Sequence, residues 1–148
     1  MFYLNKSIRS PEAGAAFVRI CEENFESRLN DLVKDLVYNV HAECITLSGP
    51  TCSGKTTTAN KLTAEIETAG KRAMVLSIDD FFRERTMPKL VCGTGTDYDS
   101  VAAIDLEYLS VCVRQMLADE PALLPKFDFV TGRRAGYSEY HSTPDDII

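Results

Sequence analysis

Residues Gly49-Pro-Thr-Cys-Ser-Gly-Lys-Thr56 fit the pattern G-x-x-x-x-G-K-[ST] at every defined position. In such a loop the glycines permit backbone angles that turn successive N–H groups inward, so the loop becomes a nest for phosphate oxygens. A helix opening near Lys55 adds its positive end to the same spot. The residues expected to hold a nucleotide are Gly49, Thr51, Cys52, Ser53, Gly54, Lys55, Thr56 and Thr57. Among them Lys55 is expected to reach the β- and γ-phosphates of a nucleoside triphosphate, and the Thr56 hydroxyl to ligate Mg²⁺. Cys52 lies near a helix N-terminus, which favours its thiolate, but loop filler is the plainer reading of it.

A second group is Val75-Leu-Ser-Ile-Asp-Asp-Phe-Phe82, with two carboxylates where a strand would end. Ligands of parallel sheets bind beyond that end of the strands, so Asp79 and Asp80 are expected to face the phosphates. Asp79 is read either as a Mg²⁺-holding acid or as a base for an attacking hydroxyl. Asp80 is read as a second functional carboxylate or as a cap.

These groups need a frame, and the hydrophobic pattern supplies one. From Ser10 to Asn39 it is helical, with Ser10 as cap, Pro11 at the first position and Glu12 in the first turn. Val18, Cys21, Phe25, Leu29, Leu32 and Leu36 define its expected buried stripe. Residues 43–48 read as a strand running into Gly49, and a helix follows to Gly70, with Ala59, Leu62, Ile66 and Ala69 inward. Arg72 to Ile78 reads as a second buried strand, which gives a βαβ unit and a parallel sheet. Phe82 to Asp97 reads as a loop and Ile104 to Asp119 as a helix with Leu106, Leu109, Val113, Met116 and Leu117 inward. Pro121 and Pro125 bracket a short apolar piece, Phe127 to Val130 looks extended, and Pro144 to Ile148 looks like a strand just begun. The fold class is therefore α/β, a three-layer phosphate-loop core with a parallel sheet and an added N-terminal helix. Two confident strands make that sheet undersized, so a truncated core is expected. The division is a segment with a docking helix at 1–42 and the core at 43–148.

The chain has 148 residues, enough for one ordinary domain, and its formal net charge is −6. An acidic surface repels a phosphate backbone at long range, so nucleic acid is not an expected partner and a polyanion must be held locally. With short apolar runs and no signal-like segment, no membrane is expected and the location is read as cytoplasmic. Cys21, Cys44, Cys52, Cys92 and Cys112 are odd in number and widely spaced, which suits free thiols in a reducing compartment. Asn60-Lys61-Leu62-Thr63 lacks the acid of a guanine-reading N-K-x-D, and the chain has no D-x-x-G switch, so a small-molecule kinase remains.

At Ser48 to Thr57, Leu76 to Phe82 and Tyr98 to Arg134 the chain resembles the uridine kinase and phosphoribulokinase group of P-loop kinases, especially its bacterial nucleoside kinase-like branch. Tyr98-Asp-Ser-Val-Ala-Ala-Ile-Asp105 is similar to the family's D-x-x-x-A-x-D, and Pro125-Lys-Phe-Asp-Phe-Val-Thr-Gly-Arg-Arg134 to its P-x-Y-D-F-x-T-x-x-R. The resemblance implies transfer of the ATP γ-phosphate to a hydroxyl of a nucleoside or similar small-molecule acceptor. It makes Asp79 the catalytic carboxylate alongside Lys55, and Asp99 a contact for sugar hydroxyls. Phe82, Phe127 and Phe129 fall around the base, and Arg134 within reach of substrate. Gly132 stands where uridine-cytidine kinases have a His that contacts the pyrimidine, and Phe127 stands for a Tyr, which removes polar groups that discriminate bases. The family continues with a Mg²⁺-holding acid and a lid with arginines, and this sequence stops at Ile148 before either. Rival readings are a non-catalytic or partner-completed nucleotide module, and a phosphoribulokinase- or pantothenate kinase-like enzyme. A homo-oligomer or a completing chain is the macromolecular partner left open.

Overall fold

The computed structural model describes residues 10–50, 52–84 and 100–148. Thr51, Asp99 and the expected loop beyond residue 84 lie outside the described residues. The chain divides into two compact units, 1–42 with 47–72 and 43–46 with 73–148.

The first unit is helical. Helix α1 spans Pro11–Lys34 and passes into a π-helical segment, Asp35–Val40. Its start is fixed as the sequence implies: the Ser10 hydroxyl accepts from the Ala13 amide and Pro11 takes the first helical position. The Ser10 hydroxyl also hydrogen-bonds the Glu12 carboxyl and holds its pKa below the ordinary value. Helix α2, Lys55–Thr68, packs against α1, and Leu29, Val33, Val37, Leu62 and Ile66 are the buried residues of the pair. The expected α1 stripe is therefore corrected. Val18, Cys21, Phe25 and Leu32 are exposed, because α1 meets α2 along positions 29, 33 and 37, one step round the helix from the predicted line. The α2 terminus follows expectation, with Gly70 at φ 86° donating to the Glu67 carbonyl and Lys71 to the Ile66 carbonyl. That is a Schellman closure, and the left-handed residue in it suits glycine.

The second unit holds the strands. Strand β1 is Arg72–Ala73, far shorter than the Arg72 to Ile78 expected, and the chain then runs to a 3₁₀ turn at Ile78–Phe81. A further 3₁₀ turn at Val101–Ala103 leads to helix α3, Leu106–Leu117, capped by the Asp105 carboxylate on the Tyr108 amide. Next come strands β2, Ala122–Asp128, and β3, Arg133–Tyr140. Strand β4, Asp146–Ile147, pairs with β1. Ile148 donates to the Glu43 carbonyl and accepts from the Ile45 amide. One residue bonding to both neighbours of its opposite is the parallel pattern. Because Met74 donates to Ile147 on the other side, β4 lies between 43–46 and β1. The α/β class with parallel strands is thus present, although the expected strand at 43–48 is irregular and joins the others through Glu43 and Ile45.

One element goes unforeseen in the sequence. Strands β2 and β3 form an antiparallel hairpin with a register break between Lys126 and Phe127. Pro125 sits inside β2 instead of bracketing it, which a two-stranded ribbon tolerates because both strands are edges. Asp128 builds the turn by accepting from the Val130 amide and the Thr131 hydroxyl, and Gly132 closes it at φ 68°. The core beneath is Phe81, Cys112, Met116, Ala122 and Leu124. On α3 the burial is again rotated: Cys112 is buried, and Leu106 and Leu117, expected inward, are exposed.

Candidate active site

In the first unit the described part of the phosphate loop ends directly in α2. Gly54 is the N-cap residue at φ 80° and Cys52 has φ 61°, both left-handed, so the chain turns sharply twice before the helix begins. A Cβ built on Gly49 would stand 2.8 Å from Ser53 Oγ, so a side chain there would require the Ser53 hydroxyl to turn away. Lys55 Nζ donates to the carbonyls of Gly49, at 2.8 Å, and Pro50, at 2.9 Å. The ammonium is therefore held across the loop. These features fit a phosphate group: two left-handed residues in the loop, a helix N-terminus and a cation fixed on the loop. Ser53 and Thr56 are exposed on the same stretch, as is Thr57, and Cys52 is an exposed free thiol.

In the second unit the 3₁₀ turn brings Asp79 and Asp80 to different fates. Asp79 is exposed, with no side-chain partner among the described residues. Asp80 is turned away from the solvent: its Oδ1 accepts from the Phe127 amide at 3.1 Å and its Oδ2 from Lys126 Nζ at 3.0 Å. Of the two expected acids, Asp80 is thus held by the β2 backbone and Lys126.

Three residues singled out from the sequence do meet. The rings of Phe82, Phe127 and Phe129 form a closed triangle, with centroids 5.7, 5.7 and 5.1 Å apart. Such tilted and edge-on contacts are favourable aromatic geometry. Phe82 and Phe127 are buried, whereas Phe129 is 52% exposed.

Arg134 is on β3, and its guanidinium is already engaged. It donates to Asp105 Oδ2 at 2.7 Å and to the Tyr137 hydroxyl at 3.4 Å, and lies 5.1 Å from the Tyr108 ring centroid. Burial pushes the Asp105 carboxyl up, but the bonds from Arg134 and the Tyr108 amide, with the charge of Arg83, hold it below the ordinary value. Asp105 also donates its own N–H to the Phe81 carbonyl. One residue thus caps α3, pairs with β3 and grips the turn that carries Asp79. In the sequence Asp105 stands out only as the end of a motif; its capping position before a helix is the signal that points to this role.

Asp105→Asn keeps the cap acceptor and removes the charge. Allowing for solvent screening of a partly exposed pair, it should destabilise the chain by about 1 kcal/mol at pH 7. Because the folded-state pKa lies below the unfolded one, the wild-type advantage is complete above the ordinary carboxylate value of about 3.9 and disappears as pH falls through the lower folded value. Urea melts of both proteins at pH 7 and at about pH 2.5 check this: the two stabilities should converge in acid.

No family model matches the chain. It is 31% identical over 104 residues to a uridine kinase of Lactobacillus helveticus (strain DPC 4571), covering 70% of this chain and 48% of that protein. It is 26% identical over 104 residues to uridine kinase-like protein 4 of Arabidopsis thaliana, covering 70% of this chain and 21% of that one. The chain thus spans about half the length of the bacterial relative and less of the plant one. Among solved structures, a possible uridine kinase from Bacillus stearothermophilus superposes with a TM-score of 0.62 at 25% identity, covering 84% of this chain and 69% of that one. A chain from Silicibacter sp. TM1040 assigned as a fructose transport system kinase gives 0.62 at 19% identity, covering 80% and 60%. The fold, with its phosphate loop, is that of the P-loop kinases. Within that class the chain is uridine kinase-like.

Proposed function

We propose that the chain is the nucleotide- and acceptor-binding core of an ATP-dependent kinase that phosphorylates a hydroxyl of a nucleoside. The observation that carries this reading is the loop at 49–56, where two left-handed residues and a cation fixed across the loop precede a helix. The uridine kinases it resembles supply the acceptor class.

In this reading Gly49, Thr51, Ser53, Gly54, Lys55, Thr56 and Thr57 hold the triphosphate, and Cys52 lends its amide. Thr56 would ligate Mg²⁺, whose charge, when bound, neutralises the phosphoryl oxygens. Asp79, exposed and without a partner among the described residues, accepts the proton of the acceptor hydroxyl as its oxygen attacks the γ-phosphorus and ADP leaves. Asp99 orients the sugar. The Phe82, Phe127 and Phe129 triangle supplies an apolar wall against which the flat base of a nucleoside can rest. Arg134 acts through Asp105 rather than on the substrate directly.

Among the described residues no helix is long and apolar enough to cross a membrane, and the reading places the enzyme in the cytoplasm.

The test is ADP release by the full chain across a panel of nucleosides, with ATP binding followed by calorimetry. Binding of ATP with ADP release that depends on a nucleoside is expected. Tight ATP binding with no acceptor in the panel releasing ADP would instead establish a nucleotide-binding module.

A further inference from the structure

We infer that Asp80 is a positioning residue that locks the candidate base, Asp79, to the aromatic wall; this deepens the proposed kinase reading and rests on it. The lock is built at a particular place. The β2–β3 register breaks between Lys126 and Phe127, and at that break the Phe127 N–H donates to Asp80 Oδ1 at 3.1 Å. Lys126 Nζ, itself largely exposed, closes on Oδ2 at 3.0 Å. The Asp80 side chain is only 17% exposed, so its bond to the amide is shielded from water and charge-assisted.

The consequence is geometric. Asp79 and Asp80 share one 3₁₀ turn, and the next two residues are Phe81, fully buried in the core, and Phe82, in the aromatic triangle. The amide that Asp80 holds belongs to Phe127, a second corner of that triangle. A single carboxylate therefore fixes the distance between the residue proposed to take the proton and the surface proposed to seat the acceptor. Glu84 Oε1, accepting from the Arg134 amide, ties the following residues to β3. With Asp80 removed, the turn remains anchored by Phe81 but loses its register on β2. Misplacement of about 1 Å in such an arrangement can cost about a hundredfold in rate.

The experiment compares Asp80→Ala, Asp80→Asn and Lys126→Met in the full chain, using the nucleoside that releases most ADP in the wild-type panel. Asp80→Ala should lower kcat/KM for the nucleoside by about tenfold to a hundredfold while the KM for ATP stays within about twofold. Asp80→Asn keeps an acceptor for the Phe127 amide and should recover to within about threefold of wild type. Lys126→Met should lie close to wild type, because an exposed ion pair contributes little. Amide exchange of Phe127, read by NMR, should accelerate in Asp80→Ala alone. A merely structural loss would lower thermal stability and raise both KM values together, with no rescue by Asn, and would overturn the inference. So would an Asp80→Ala variant with wild-type nucleoside kinetics. A wild-type chain silent across the whole panel overturns the kinase reading itself, and with it any catalytic sense of the lock; the amide exchange distinguishes that case from a lock that does not exist.

Discussion

Lys55→Ala is expected to lower ADP release by about 10²- to 10³-fold and to weaken ATP binding measurably in calorimetry. The ammonium is fixed by two carbonyls of its own loop, so its charge sits at the proposed phosphate site rather than sweeping through solvent. Phosphoryl transfer depends almost wholly on positioning and charge neutralisation, and a fixed cation is the contribution least easily replaced. Arginine is not expected to rescue it, because a planar fork does not reproduce a compact ammonium between two carbonyls. Both bonds are at the surface, so the variant should unfold within about 0.5 kcal/mol of wild type. Unchanged ATP affinity would show that the loop does not hold the phosphates.

Asp79→Asn should reduce turnover by about 10²- to 10⁴-fold while leaving ATP affinity unchanged. Asparagine keeps the shape and cannot take the proton. The variant is a clean probe because Asp79 has no side-chain partner among the described residues, so its stability should match wild type. The contrast with Asp80, its neighbour in the same turn, is informative: Asp80→Asn should be nearly silent where Asp79→Asn is not. Full turnover by Asp79→Asn would remove the base assignment.

The parts legible in the sequence are those decided by local backbone chemistry. The loop glycines, the Ser10 cap and the Gly70 closure each follow from a few adjacent residues, and each stands where the spacing puts it. What escapes is decided by partners far along the chain. Asp79 and Asp80 are indistinguishable as a pair of acids, and only the return of β2, forty-six residues later, separates them. Strand β3 escapes because Arg133 to Tyr140 contains Gly136 and many polar residues, and its weak alternation reflects one half-exposed ribbon. On α1 the helical period is right and the facing line is wrong, since periodicity fixes a stripe only as finely as the partner helix allows. Thr51 and Asp99, both assigned from the sequence, lie outside the described residues.

The placement of β4 has a bearing on how the molecule is made. Residues 146–148 thread between 43–46 and β1, so two segments synthesised early are joined through a third that leaves the ribosome much later. The entropic cost of closing so long a loop must be met before any of those contacts can form. Such non-local closure slows folding and leaves open strand edges exposed during synthesis, whereas the α1–α2 pair can mature first.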